Sequence, residues 1–137
     1  MTQQPRVLSL TQPWAWLVVN GYKDIENRRW HTKYRGWCYI HAAKGVTRGN
    51  YSDVVAFTKD KAPHITLPPF ADCKRGGVIG MVRFTDCVQA SESPWFFGPF
   101  GFVIAQAVAF DEMIPLTGHL GFFNAPIELP PPPATPA

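Results

Sequence analysis

The chain has 137 residues, 46% of them apolar and 17% charged, a balance that suits one folded domain and excludes a disordered or fibrous chain. The net charge of +3 is unevenly placed: residues 1–50 hold eight Lys or Arg against two acids, a balance of +6, while residues 51–137 hold five against eight, a balance of −3. A basic first half makes contact with a polyanion a live possibility.

No apolar run approaches the roughly 20 residues that a membrane-spanning helix needs. The start, MTQQPRVLSLTQPW, lacks the basic head and long apolar stretch of a signal peptide, so a cytoplasmic protein without membrane contact is expected. Cys38, Cys73 and Cys87 are odd in number and widely spaced, and His31, His41, His64 and His119 form no HExxH-type pair. Neither a disulfide framework nor a metal or other cofactor is expected from them.

Arg6 to Leu10 reads as a strand, followed by a helix with Thr11 as N-cap, Pro13 in the first turn and Gly21 at its end. Trp14, Leu17 and Val18 share one face of that helix, but Ala15, Trp16 and Val19 make the rest apolar too, which predicts packing on several sides. Asp24 to Trp30 is extended, with Glu26 and Arg28 on one side at period 2. Trp37 to Ala42 is a second strand, with Cys38, Ile40 and Ala42 opposite Trp37, Tyr39 and His41. A short helix is expected over 52–58, then a proline-rich loop over 62–69.

Residues 77–88 and 100–110 are the two longest strands, the first bent at Gly80. In the second, Phe100, Phe102, Ile104, Val108 and Phe110 alternate with Gly101, Ala105, Ala107 and Ala109, a large-and-small pattern that suits the inside and outside of a small closed barrel. The loop between them carries Trp95, Phe96 and Phe97, either as a lid or as a pin. The fold class is α+β and mostly β: a small mixed barrel with one or two flanking helices over 1–129. The proline-rich segment 130–137 is expected to be a disordered tail.

The densest chemistry lies in Gly21, Lys23, Glu26, Arg28 and Trp30, a G-x-K-x-x-E-x-R-x-W run. Together with S-L-x-Q-P-W at 9–14 and Y-R-G-x-x-x-I-H-A-A-K at 34–44, it resembles the ASCH domain, a PUA-like β-barrel. The match is closest over Leu8 to Lys44 and continues more loosely through GGVIGMVRFTDC, GPFGFVIAQAVAF and LTGHLGFF. The resemblance implies a barrel with the first helix beside a cleft, and a role connected with RNA or, more broadly, nucleic acid. It also implies that Lys23, Glu26 and Arg28 form the cleft's polar floor, with Gln12, Pro13 and Trp14 at its wall. Tyr34 and Arg35 fall in the family's Y-R-G turn, and Lys44 ends its H-A-A-K strand.

These residue types fit a nucleic-acid ligand. Lys23 and Arg28 suit phosphate, and Trp14 or Trp30 can stack a base, a contact worth about 1–3 kcal/mol. Glu26 among cations weakens a plain phosphate site, which favours a pocket for one nucleotide over a featureless basic groove. A plain Glu26–Arg28 ion pair is the competing reading, with Trp16 and Trp37 as core and His41 as a satisfied structural histidine. Arg29, Lys33, Arg35, Lys44 and Arg48 are either a solvated basic face or a phosphate-tracking surface. RNA is favoured and DNA possible; the oligomeric state is open.

Catalysis is the alternative. Small N4-acetylcytidine amidohydrolases of the superfamily resemble the chain in the Lys motif but use a Thr three residues after that Lys, where this chain has Glu26, and a Glu from a later strand, where it has only Asp86. Beside Arg28 the Glu26 carboxylate is better suited to charge pairing than to attack. A metal-independent ribonuclease drawing on Glu26, His41, Lys23 and Arg28 is the surviving enzymatic reading. Incubation with N4-acetylcytidine is expected to give no deacetylated product over a mass-spectrometric time course, and accumulating product would overturn this.

Overall fold

The structure is a computed structural model that describes residues 3–134. Its elements in chain order are β1 (Val7–Leu10), α1 (Trp14–Val19), β2 (Ile25–Arg28), β3 (Gly36–Ala42), α2 (Arg48–Lys61), β4 (Gly77–Val88), β5 (Phe100–Pro115) and β6 (Phe122–Phe123), with a 3₁₀ turn at Phe70–Asp72. The six strands form one sheet in the order β2-β5-β4-β3-β1-β6. All pairings are antiparallel except β1 with β3.

The sheet curls until its two edges approach. Phe122 of β6 at one edge stacks on Phe102 of β5, next to the other edge, with ring centroids 6.1 Å apart. Arg28 on edge strand β2 donates from Nη2 to the Ser9 carbonyl of β1 at 2.9 Å. The result is a small barrel with two helices, as the strand pattern and the family resemblance both predict.

Three apolar clusters hold it together. Leu8, Leu10, Cys38, Ile40, Val82, Phe84 and Phe102 fill the interior with Ala15, Val18 and Val19 of α1. Leu17, on another side of α1, packs with Ile25, Val54, Ile65 and Trp95. Helix α1 is therefore buried on more than one side, as its all-round apolar sequence requires. The third cluster, with Val7, Tyr39, Val78, Met81 and Leu129 at its centre, covers the opposite face of the strands. The alternation along β3 is borne out: Cys38, Ile40 and Ala42 enter the first cluster, Tyr39 and Trp37 the third.

Several details differ from the sequence reading. The residue before α1 is Pro13, with no side-chain cap. Thr11 supplies only a carbonyl, bonded by the Ala15 N–H at 3.1 Å, and the Gln12 side-chain oxygen accepts from the Trp16 N–H at 3.0 Å. Gly21, at φ +79°, ends this helical region as expected. Helix α2 runs over 14 residues from Arg48, well beyond 52–58, because Thr47 caps it through the Asn50 N–H.

The large-and-small alternation of β5 does not stay on one face. Phe84 pairs with Ile104 and Arg83 with Gln106, so one step on β4 spans two on β5 and leaves Ala105 as the extra residue of a bulge. Beyond it the side-chain phase reverses, so Phe100, Phe102 and Ile104 join the interior cluster while Val108 and Phe110 join the third. At Gly80, where the bend was expected, the β4 register shifts; a Cβ there would lie 2.3 Å from the Val108 carbonyl oxygen, so only glycine fits.

The segment after β6 is held at its start. Leu129 is buried and its N–H bonds the Gln4 side chain at 3.0 Å, while the Tyr39 hydroxyl donates to the Pro130 carbonyl. Residues 131–134 of the proline-rich tail have no regular secondary structure, and 135–137 lie outside the described residues.

Phe102 is fully buried where both edges of the sheet meet. Phe102→Ala is expected to cost about 3–5 kcal/mol in urea unfolding; a loss below about 1 kcal/mol would contradict this account of barrel closure.

Candidate nucleic-acid site

Strand β2 supplies the polar centre. Glu26 is the register partner of Phe102, so Glu26 and, two residues on, Arg28 share the face turned toward the barrel interior. The Glu26 carboxylate takes Lys23 Nζ at 3.3 Å on Oε1 and Arg28 Nε at 3.0 Å on Oε2. Lys23 also donates to the Ile25 carbonyl and lies 5.2 Å from the Trp14 ring centroid. With a relative exposure of 3%, its ammonium has a pKa pushed down by burial, against the opposing pull of Glu26.

Two grooves meet at this centre. The smaller, of about 530 Å³, is lined by Trp14, Glu26, Arg28, Arg29 and Trp30 among others. The larger, of about 810 Å³, is lined by His41, Lys44, Gly76 and the segment Pro115–Gly121. Ser9, Thr11 and Arg28 line both. Arg28 has further N–H donors beyond the two bonded to Glu26 and Ser9, and Glu26 keeps unused lone pairs, so donor and acceptor stand side by side on the cleft floor.

The cleft walls are aromatic. Trp30 is 38% exposed and braced edge-on by Phe102 and Phe122. Trp14, half-buried, is braced by Phe57, Trp95 and Phe97. Of the loop aromatics, Trp95 is buried and pins the loop, and Phe97 is 54% exposed beside Trp14.

Of the residues singled out in the sequence, Trp14, Glu26, Arg28 and Trp30 share the smaller groove, and Lys44 lines the larger. The others stand elsewhere. Lys23 lines neither groove but lies beneath Glu26. Gln12 is buried, its amide tied to the Trp16 N–H and the Lys74 carbonyl, so it holds the start of α1 in place. The Tyr34 hydroxyl accepts from the Arg6 N–H and donates to the Trp37 carbonyl, with its ring stacked on Phe122. Arg35 bonds the Thr32 and Tyr34 carbonyls and lies 3.7 Å from Asp86. Tyr34 and Arg35 shape the turn into β3 and line neither groove.

His41 has both ring nitrogens engaged, Nε2 with the Leu116 carbonyl at 2.7 Å and Nδ1 with the Ser9 hydroxyl at 2.8 Å. A carbonyl cannot donate, so Nε2 carries the proton and Nδ1 accepts from Ser9. Burial pushes its pKa down. Asn27 was missed: its side chain bonds the Trp95 carbonyl and the Phe97 and Gly98 N–H groups, fastening the aromatic loop beside the cleft. Its signal was an amide at an alternate position between Glu26 and Arg28, on the face shared with Ile25.

Among the described residues no three His, Cys, Asp or Glu gather as a metal site, and no helix is long and apolar enough to cross a membrane. Removing Glu26 leaves Lys23 buried without its carboxylate. Glu26→Ala is expected to cost about 3–5 kcal/mol in urea unfolding, and the pair Lys23→Met with Glu26→Leu to cost less than that single change. A single-variant loss under about 1 kcal/mol would remove the structural role given to the ion pair.

Residues 8–99 match the ASCH domain. Activating signal cointegrator 1 of Homo sapiens is 32% identical over 105 residues, covering 66% of this chain and 18% of that protein. The Mus musculus protein of the same name is 32% identical over 87 residues, covering 62% of this chain and 15% of that protein. The chain thus corresponds to less than a fifth of the length of these relatives. With the family match spanning most of the barrel, from β1 to the loop before β5, the chain belongs to the ASCH domain family.

Proposed function

We propose that the protein is a nucleic-acid-binding module that accommodates a single base or nucleotide in the cleft between Trp14 and Trp30. Membership of the ASCH family supports a nucleic-acid-related role in general. The observation that carries the finer reading is the floor of that cleft, where the Glu26 carboxylate and the Arg28 guanidinium lie side by side beneath two braced tryptophans. A base stacked on Trp30 meets an acceptor for its N–H edge and a donor for its carbonyl or for an adjacent phosphate. Lys44 adds positive charge in the adjoining groove.

Single-stranded RNA is the favoured ligand, because a base can enter such a pocket only when unstacked, and DNA is the second candidate. The protein works without a cofactor, in the cytoplasm, a placement that three unpaired cysteines support. The ribonuclease alternative is weakened by the geometry. Both Glu26 oxygens are engaged by cations, and Glu26 and His41, the acid and base of that reading, line different grooves.

Titration of labelled single- and double-stranded RNA and DNA across a salt series tests the reading. Trp30→Ala is expected to weaken single-strand binding by about 1–3 kcal/mol while leaving the salt dependence in place. Arg28→Ala is expected to weaken binding and to flatten the salt dependence. Lys23→Ala is a poor probe, since its effect would run through folding. Wild-type affinity in both the Trp30 and Arg28 variants would sink the cleft proposal.

A further inference from the structure

Outside the cleft, a group of cations has no acidic partner among the described residues. The guanidinium carbons of Arg48 and Arg75 lie 4.6 Å and 5.2 Å from the centroid of the same Phe70 ring. Arg75 Nη1 donates to the Lys44 carbonyl at 3.5 Å, and the Lys44 methylenes lie against Gly76, where a Cβ would come within 3.0 Å of Lys44 Cε. Arg48 at the start of α2 and Arg75 in the loop before β4 thus meet on one ring, and Lys44, just past the end of β3, packs against the same loop.

Among the described residues, no carboxylate lies within 4.0 Å of the charged nitrogens of Lys44, Arg48 or Arg75. Asp72, in the turn beside Phe70, lines a third groove with Lys74 and Asp111 instead. Arg48 is also the first residue of a 14-residue helix, where the helix dipole disfavours a cation. The group is held together by stacking on Phe70 and by packing, against its own repulsion, and an external anion would relieve that repulsion.

Its position indicates which anion. Lys44 and Gly76 line the larger groove, and that groove joins the base cleft at Ser9, Thr11 and Arg28. The path from the cleft floor runs along the larger groove to Lys44 and Gly76, and Arg75, the residue before Gly76, shares the Phe70 ring with Arg48. The aromatic–guanidinium stack at its far end offers the kind of planar cation on which exposed bases also stack.

Resting on the cleft reading above, we infer that this path carries the phosphodiester backbone of a single strand extending from the bound nucleotide, so that the ligand is an oligonucleotide and not a free nucleotide or nucleoside.

The test measures binding of a mononucleotide and of RNA and DNA oligonucleotides up to about 12 nucleotides, within the range of roughly 4–16 known for single-strand sites. The full chain is compared with an Arg48→Ala, Arg75→Ala double variant, its charge-keeping Arg48→Lys, Arg75→Lys counterpart and Trp30→Ala. Wild-type affinity is expected to rise with length for RNA, DNA or both. The double alanine variant should lose about tenfold or more in oligonucleotide affinity and about one unit of salt slope, with mononucleotide binding unchanged. The lysine variant should retain most of the affinity, which separates lost charge from lost folding. Mononucleotide and oligonucleotides binding equally well, or a double alanine variant with wild-type oligonucleotide affinity and slope, would overturn the path. In that second case a Trp30→Ala loss on every ligand would leave the cleft standing. If Trp30→Ala changes nothing while the double alanine variant loses oligonucleotide affinity, the path stands and the cleft falls.

Discussion

The buried carboxylate of Glu26 is the junction on which the rest depends. It accepts Lys23 from below and Arg28 from the side, and Arg28 reaches on to the Ser9 carbonyl. Strands β2 and β1 are not neighbours in the sheet order, so this last bond spans the gap that the ladder of strand pairs leaves open. An ion cluster taken out of water carries a desolvation cost that its own attraction only partly offsets. Apolar residues of the same size could hold the seam as firmly. What the ions add is a polar floor at a fixed place in an otherwise apolar barrel, with unused donors and acceptors facing the cleft.

The aromatic residues act in two ways according to what braces them. Phe102 and Phe122 are stacked inside the barrel, with Phe84 edge-on to both, and together they close it. Trp30 stands at the edge of this group, and Trp14 stands in a second one with Phe57, Trp95 and Phe97; both line the smaller groove. Rigid bracing matters for a stacking platform, because a ring already held in place loses little further freedom when a base settles on it. Asn27, fastening the Trp95–Gly98 loop, plays the same part for the backbone beside Trp14.

Much of this was legible before any coordinates. The period-2 spacing of Glu26 and Arg28 put them on one face, the apolar surround of α1 required burial on several sides, and the three motifs together indicated the family. Other assignments failed for local reasons. Lys23 was expected on the cleft floor as a phosphate ligand, yet it lies beneath the floor, where the Glu26 carboxylate gives it a buried partner. Gln12 and Tyr34 belong to recognisable motifs but use their polar atoms to hold backbone groups. The β5 alternation was right up to Ile104 and then reversed, since an Ala105 bulge has no signature in a run of small and large apolar residues.

The sequence by itself determined the class of fold, the order of the elements, the family and the residue types at the polar centre, because strand period, helix ends and motif spacing are short-range properties of the chain. Only the tertiary structure decided which of those residues reach a groove, that two grooves join at Arg28, and that Arg48 and Arg75 meet on Phe70 beside Lys44 with no ion pair among the described residues. Each of these depends on the curl of the sheet and on contacts between segments far apart in sequence. A one-residue bulge redirects every side chain beyond it, and no local pattern records where the far partner will be.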